Sequence, residues 1–410
     1  MTTHPCWVEI RTRSLEDNFR FLLSLAAPHA ELMAVVKANA YGHSLELCAP
    51  AVARAGAKWL GVATVEEGVA ARALCPEPGV LVMCGAFPGQ GAAVVEHRLS
   101  AVAWQPWQLD ELEGTARMAG KTVPVHVEID TGMSRQGVSL DELGSLLARF
   151  HPGSPLRLEG VMTHLFAADE ADGRVTEAQL ALLEEATGKV TDAGLNPEWL
   201  HTGSSPTLVA GEAERIAALA ARHGMKAMLR PGLALYGVIP QFDPQFEPSK
   251  PSKSSESSKS SKSSKSQEPA SLTAARARLQ PVLTWKTRVA GVRTVPAGAV
   301  VGYNGTFVAT EPMRLALVAA GYADGFDRRL GNHFSLLVRG QRAPLAGRIS
   351  MDSAVVDVTE IPGVEPGDEV VILGEQGGEC ITAFDHAEAT GTIPWEVFTR
   401  IGPRVLRVAV

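Results

Sequence analysis

A lysine closes a short apolar run in Ala34-Val35-Val36-Lys37-Ala38-Asn39-Ala40-Tyr41-Gly42-His43. The run reads as a buried strand, and an ammonium leaves water only at high cost. Lys37 is therefore either a stem reaching back to the surface or an amine kept neutral enough to attack an aldehyde and form a Schiff base. Tyr41 and His43 in the same loop favour the second reading. Other chemistry-bearing residues stand where later strands should end: Asp130-Thr131-Gly132-Met133-Ser134-Arg135, Thr163-His164, His201-Thr202-Gly203-Ser204-Ser205 and Arg230-Pro231-Gly232. This collection has one lysine, two arginines, histidines, hydroxyls and glycine turns. It has no metal-ligand spacing such as H-E-x-x-H, so no metal is expected. It suits an anionic cofactor bearing an aldehyde and a phosphate, with Ser204, Ser205 and the backbone N–H groups around Gly232 and Leu233 as a phosphate cradle. Singly, Ser205 reads as a helix cap, Gly232 as a turn and His164 as an interior histidine. Their joint occurrence at successive strand ends points to a site.

These residues need a scaffold that brings strand ends together. Apolar segments recur at Leu32–Val36, Trp59–Ala63, Val80–Cys84, Val125–Ile129, Leu158–Thr163 and Met228–Arg230, with helical patterns at Leu140–Phe150, Glu177–Ala193 and Ala213–His223 between them. Ser14, with Asp17 three residues on, reads as the capping box that opens the first helix. Repeated βα units over residues 9–240 suit a (β/α)8 barrel, whose chemistry gathers at the C-terminal rim. A doubly wound sheet fits less well, because no G-x-G-x-x-G follows the first strand. Residues 241–272 form a Ser/Lys-rich insert expected to be flexible: positions 249–266 hold eleven Ser and five Lys, and nothing there can be buried to offset ordering the chain. Residues 273–410 change style. Short Val- and Leu-rich segments (Leu283–Val295, Leu315–Val318, Phe334–Val338, Ser353–Val358, Glu369–Leu373) separated by turn signals predict a mostly antiparallel β domain, to which Trp7–Ile10 is a candidate extra strand. The fold class is thus α/β plus β.

Composition excludes several classes. The net charge of −7 over 410 residues argues against a general nucleic-acid or membrane-surface binder. Five cysteines without a C-x-x-C indicate neither a disulfide framework nor a thiolate metal site. No apolar run approaches the roughly 20 residues that span a bilayer, and no signal-peptide pattern opens the chain. A cytoplasmic protein is expected.

The motifs carry a resemblance. Val36–His43, Asp130–Arg135, Arg230-Pro231-Gly232-Leu233-Ala234-Leu235-Tyr236-Gly237, Gly321-Tyr322-Ala323-Asp324-Gly325 and Gly347-Arg348-Ile349-Ser350-Met351-Asp352 resemble the alanine racemases, enzymes that use pyridoxal 5'-phosphate (PLP). The resemblance covers nearly the whole chain outside the Ser/Lys tract. It implies a PLP-binding barrel followed by a β domain. It also implies a head-to-tail homodimer with shared active sites, and D-alanine supplied for peptidoglycan. By the same resemblance, Lys37 holds the cofactor and is the base on one face of the substrate. Tyr303 from the partner subunit is the base on the other face. His164 and Arg230 relay protons to it, and Arg230 faces the ring nitrogen. Tyr41 is a further cofactor contact, and Arg135, Tyr322 and the Met351 backbone meet the substrate, with Asp352 in support. A broad-specificity or serine racemase, or a PLP-binding regulatory protein, is the alternative.

Three positions depart from the family pattern. Glu128 stands where many members have a lysine converted to a carbamate. The alternation of Val125, Val127 and Ile129 puts His126, Glu128 and Asp130 on the barrel interior. A buried carboxylate needs a partner, and Arg135 is the expected one. Trp395 replaces the usual phosphate-binding tyrosine, and Ser204 a common asparagine.

Overall fold

The computed structural model describes residues 5–170, 173–242 and 269–410. The chain divides into two compact units. One comprises Leu15–Lys37 and Ala49–Gln280; the other comprises Met1–Ser14, Ala38–Cys48 and Pro281–Val410.

Strand β1 (Trp7–Ile10) belongs to the second unit. The first unit is built on β2 (Ala30–Val35), β3 (Trp59–Val62), β4 (Gly79–Val82), β5 (Ser100–Ala103), β6 (Val123–Glu128), β7 (Leu156–Met162), β8 (Trp199–His201) and β9 (Lys226–Leu229). These eight close into a barrel in sequence order, every pairing parallel. Closure is made by β9 against β2, with Ala30 opposite Ala227 and Leu32 opposite Leu229. The expected (β/α)8 architecture is the one observed. Strands covered on both faces need apolar residues at successive positions rather than alternation, and Leu32, Met33 and Ala34 are all fully buried. Met33, Leu81, Val102, Met162, Trp199 and Met228 pack together as one core cluster.

Two barrel strands escaped the sequence reading, β5 and β8. Each puts a polar side chain (Ser100, His201) in the buried interior. Those side chains break the continuous apolar signature, and hydrogen bonds inside the barrel satisfy them. Two helix expectations also need correction. The first helix runs Thr12–Ala26, so Ser14 lies in its first turn and not before it. The pattern at Leu140–Phe150 yields only the short helix Leu143–Leu147. The expected flexible tract falls largely on residues 243–268, outside the described residues. Its end at 272 lies inside a helix, Ala270–Arg278, which packs in the barrel unit: Ser271 Oγ donates to Val209 O at 2.7 Å, and the Arg278 guanidinium covers the Phe21 ring.

The second unit contains β10 (Leu283–Val295), β11 (Val300–Val301), β12 (Phe307–Val308), β13 (Met313–Val318), β14 (Ser335–Val338), β15 (Gln341–Pro344), β16 (Ala354–Asp357), β17 (Glu369–Gln376), β18 (Glu379–Ile381) and β19 (Leu406–Ala409). Its main sheet runs β15-β14-β17-β10-β1-β19, with β13, β16 and β18 attached and β11–β12 as a separate pair. All pairings are antiparallel except β1 with β19. Trp7–Ile10 thus pairs with β10 on one side and with the last strand of the chain on the other.

Candidate active site

Lys37 follows directly on β2. The strand end is pinned from outside: Tyr236 Oη donates to Val35 O at 3.0 Å, and Val36 N donates to Gly61 O at 2.8 Å. Burial lowers the Lys37 pKa; the nearby Cys84 and Glu67 oppose that, while Arg135 and Arg230 push the same way. The four residues after it break the usual handedness. Ala38, Asn39, Ala40 and Tyr41 have φ of 52, 53, 55 and 53°. A left-handed turn places each Cβ against the next carbonyl oxygen, at roughly 1–2 kcal/mol per L-residue. The turn is held by Gly42 N to Ala38 O at 2.9 Å, His43 N to Ala40 O at 3.0 Å and Leu45 N to Asn39 Oδ1 at 2.7 Å. Gly42 has φ +79°, and a Cβ there would lie 2.3 Å from Phe398 O. Backbone strain of this kind persists only where surrounding structure over-determines it.

The ends of β6, β7 and β9 supply the charged groups. Asp130 Oδ1 accepts from Gly132 N (2.9 Å) and Ser134 N (3.1 Å), which folds the loop and leaves Arg135 exposed. Glu128 is buried, as the alternation required. Its direct partner, however, is the Gln136 amide and not Arg135. Burial raises the Glu128 pKa; Gln136, Arg230 and Arg135 each pull it back. Arg135 therefore acts on Glu128 as a nearby charge. His164 lies at the end of β7. Burial and the charges of Arg230, Arg135 and Lys37 push its pKa down to about 3, so it is neutral at physiological pH. Arg230 is buried, with Nη2 donating to Thr163 O at 2.7 Å and Nη1 to His201 Nδ1 at 3.1 Å.

The serine pair differs from the simplest cradle. Ser204 is the N-cap of the short helix Ser205–Val209, and Thr207 completes its capping box. Ser205 Oγ accepts from Gly232 N and Ala234 N, both at 3.1 Å. The Gly232 amide is thus committed to the protein, and Leu233 follows in the buried 3-10 turn Leu233–Tyr236.

Lys37, Glu128, Arg135, His164, Ser204, Ser205, Arg230, Gly232 and Leu233 all belong to the barrel unit; Tyr41, Tyr303, Tyr322, Met351, Asp352 and Trp395 belong to the other. Within that second unit, Tyr41 is buried and burial raises its phenol pKa. Tyr303, Tyr322 and Met351 are 65%, 44% and 53% exposed. Trp395 sits half-buried on the helix Pro394–Thr399. The loops of Tyr322 and Met351 interlock. Tyr322 N donates to Ser350 O and Ala323 N to Met351 O, and Gly321 leaves no space for a Cβ against Met351 O. Arg404 bridges Asp324 and Asp352, both at 2.7 Å.

Comparison with known proteins supplies the family. A model of the alanine racemase N-terminal domain matches residues 10–240, and one of the alanine racemase C-terminal domain matches residues 282–409. The chain belongs to the alanine racemase family. The alanine racemase of Nostoc sp. is 35% identical over 407 residues, covering 98% of this chain and 95% of the relative. A crystal structure of alanine racemase from D-cycloserine producing Streptomyces lavendulae is 34% identical, with TM-score 0.84, and covers 100% of this chain and 98% of that one. A structure of alanine racemase from Bartonella henselae with covalently bound pyridoxal phosphate is 26% identical, with TM-score 0.79, covering 99% of each chain.

Set against other alanine racemases, the motif residues of this chain were visible in the sequence, but their supports were not. Gln136 was missed although it adjoins Arg135, because an amide has no charge to attract attention. Gln179 was missed because it comes from a helix distant in sequence. Its amide donates to Thr131 Oγ1 (2.9 Å) and His164 O (3.1 Å), and its oxygen accepts from Phe166 N (3.1 Å). It ties the loops after β6 and β7 and so fixes the backbone of His164. Being buried and polar was its only signal, and burial is not legible in a single glutamine. Among the described residues, no helix is long and apolar enough to cross a membrane, and no group of three or more His, Cys, Asp or Glu could hold a metal.

Proposed function

We propose that this chain interconverts L- and D-alanine with pyridoxal 5'-phosphate held at Lys37. The observation that carries the reading is the charge pattern at the barrel rim. Lys37, Arg135 and Arg230 lie near enough to one another that each arginine lowers the proton affinity of Lys37 and of the neutral His164. Glu128 is the carboxylate set against the two arginines. The two guanidiniums and the amine are donors that a phosphate and a substrate carboxylate would pair with. The Bartonella henselae relative, whose structure holds the cofactor covalently, supports the same reading. When bound, PLP draws electrons from the amino acid and makes its α-proton acidic.

The chain's own residues then divide the work. Lys37 Nζ exchanges the α-proton on one face, and its depressed pKa suits an amine that must be unprotonated part of the time. Tyr303 Oη of a second copy of the chain serves the other face; its exposure leaves it free to reach a partner's site. A phenol titrates near pH 10 in water, so the proton needs a route. His164, held neutral, provides it, and Arg230 stands beside it as a fixed charge. Arg230 is the residue that would give a hydrogen bond to the cofactor's ring nitrogen when the cofactor is bound. Burial lowers its pKa to about 10, yet it keeps its proton at neutral pH and can only donate. Arg135 and, from the second copy, the Met351 amide hold the substrate carboxylate, with that copy's Tyr322 beside it and its Asp352 steadied by Arg404. Ser204, Ser205, Leu233, Tyr41 and Trp395 are assigned to the cofactor and its phosphate, with Gly232, whose amide is given to Ser205, shaping the turn that presents them. Glu128, fixed by Gln136, supplies the anion that orients Arg135. The product serves peptidoglycan synthesis.

The deciding experiment incubates the purified protein with PLP and L-alanine and separates the enantiomers by chiral chromatography. A parallel sample is reduced with borohydride and mapped by peptide mass. D-alanine and a modified Lys37 are expected. An unmodified Lys37 together with pure L-alanine overturns the assignment.

A further inference from the structure

The apolar interior of the barrel is crossed by a file of polar side chains. Arg157 Nη2 donates to Glu159 Oε1 at 2.6 Å, and Ser100 Oγ donates to Glu159 Oε2 at 2.5 Å. His126 Nε2 lies 3.1 Å from Glu159 Oε2, and His126 Nδ1 lies 2.7 Å from His201 Nε2. His201 Nδ1 meets Arg230 Nη1 at 3.1 Å. Both imidazoles are completely buried, and Glu159 and Arg230 nearly so. Trp59 packs edge-on against His126, and His126 against His201. Arg157 is half exposed near the start of β7, whereas Arg230 follows the end of β9. The file therefore runs from one rim of the barrel to the other.

Its donor sense is fixed from the Arg230 end. Guanidinium only donates, so His201 Nδ1 must accept. A neutral imidazole carries one proton, which then sits on His201 Nε2 and is given to His126 Nδ1. His126 accepts there, keeps its own proton on Nε2, and gives that bond to Glu159. Every link points the same way, from guanidinium to carboxylate. Protonating His201 sets an N–H against the Arg230 N–H, and protonating His126 sets one against the His201 N–H. Both imidazoles are thus locked neutral in the same tautomer. The backbone makes room for the file. Gly160 faces His126, and a Cβ at Gly160 would lie 2.3 Å from His126 Nδ1. The β6–β7 register also shifts between Val125 and His126. Burial works to raise the Glu159 pKa, but its bonds from His126, Ser100 and Arg157 outweigh that and keep it below the usual carboxylate value.

We propose that Glu159, His126 and His201 are positioning residues that aim Arg230 at the reactive rim through a one-way file of buried hydrogen bonds anchored at the opposite rim. Supporting groups of this kind typically change activity 10- to 100-fold when removed, in the better-studied metal sites. The proposal rests on the reading of Arg230 as a cofactor contact, but its geometry can be tested without that reading.

The test uses full-length, PLP-loaded protein labelled with 15N and long-range 1H–15N imidazole spectra, with His126→Gln and His201→Gln for assignment. Both histidines are expected as neutral Nε2–H tautomers from pH 6 to 8. An imidazolium or an Nδ1–H tautomer at either position overturns the file. The functional arm compares Glu159→Leu with Glu159→Gln, whose amide oxygen still accepts from His126. The leucine variant should lose about tenfold in kcat with KM for alanine changed less than about twofold, and the glutamine variant should stay within about threefold of wild type. Wild-type kcat in a folded Glu159→Leu overturns the positioning role. Absence of racemisation by the wild-type protein would instead overturn the proposed function, while the tautomer spectra still decide the file.

Discussion

Replacing Ala38 by glycine tests the left-handed turn by sign alone. In an ordinary exposed helical position, Ala→Gly costs about 1 kcal/mol, because glycine has more freedom to lose on folding. At Ala38 the φ of 52° reverses the balance. The side chain is exposed, so little burial is forfeited. Removing the methyl relieves about 1–2 kcal/mol of steric strain, against about 0.5–1 kcal/mol of added backbone entropy in the unfolded chain. The net expectation is a gain of about 0.5–1 kcal/mol. Urea unfolding followed by circular dichroism measures it as a raised midpoint at unchanged slope. A more compliant turn also holds Lys37 less firmly, and small misplacements of a reacting group are costly, so kcat should fall by roughly three- to tenfold while stability rises. A lowered midpoint, the ordinary helical outcome, would refute the strain argument.

Four other outcomes follow from the site. Glu128→Gln should raise KM for alanine by about tenfold by weakening the hold on Arg135. The raised pKa of Glu128 means that its stabilising effect is present while it is protonated and is lost as pH rises through that pKa. The glutamine variant should therefore lose no stability at pH 8 relative to pH 5 from this position, which paired urea curves will show. Gly42→Ala, at φ +79° with its Cβ directed at Phe398 O, should cost roughly 2–4 kcal/mol, seen as a lowered unfolding midpoint. The pKa values of His43 and His164 are depressed by burial to about 4 and about 3. Their contribution to stability is complete above their unfolded pKa and is lost as pH falls from about 6.5 toward those values, at up to about 1.4 kcal/mol per pH unit for each. Acid titration of the urea midpoint should show that slope, and a flat profile between pH 6 and 4 would contradict neutral burial. Finally, mixing inactive Lys37→Ala and Tyr303→Phe proteins should restore about a quarter of wild-type activity, because random pairing leaves half the dimers with one complete site; no recovery after subunit exchange would exclude shared sites.

The barrel was legible because parallel strands covered on both faces write themselves as apolar runs, as at Leu32–Val36. It was illegible at Ser100–Ala103 and Trp199–His201, where buried hydrogen bonds replace part of the apolar signature. Lys37 could be found from its place at a strand end. The partner of Glu128 could not: Arg135 was the electrostatically obvious choice, but the loop held by Asp130 turns the next residue, Gln136, onto the carboxylate. Loop geometry selected the amide, and no spacing rule encodes that selection. The handedness of residues 38–41 was equally hidden, since alanine and tyrosine carry no signal for positive φ.

The pairing of β1 with β10 and β19 bears on biosynthesis. Trp7–Ile10 leaves the ribosome well before its neighbours, Leu283–Lys286 and Leu406–Ala409. At translation rates of about 5–20 residues per second, the last neighbour emerges on the order of 20–80 s later. Until Leu283–Lys286 emerges this short apolar edge has no ladder to join, and until Leu406–Ala409 follows one side of it stays open; such edges invite association between nascent chains. A product terminated before Leu406 would never close that side.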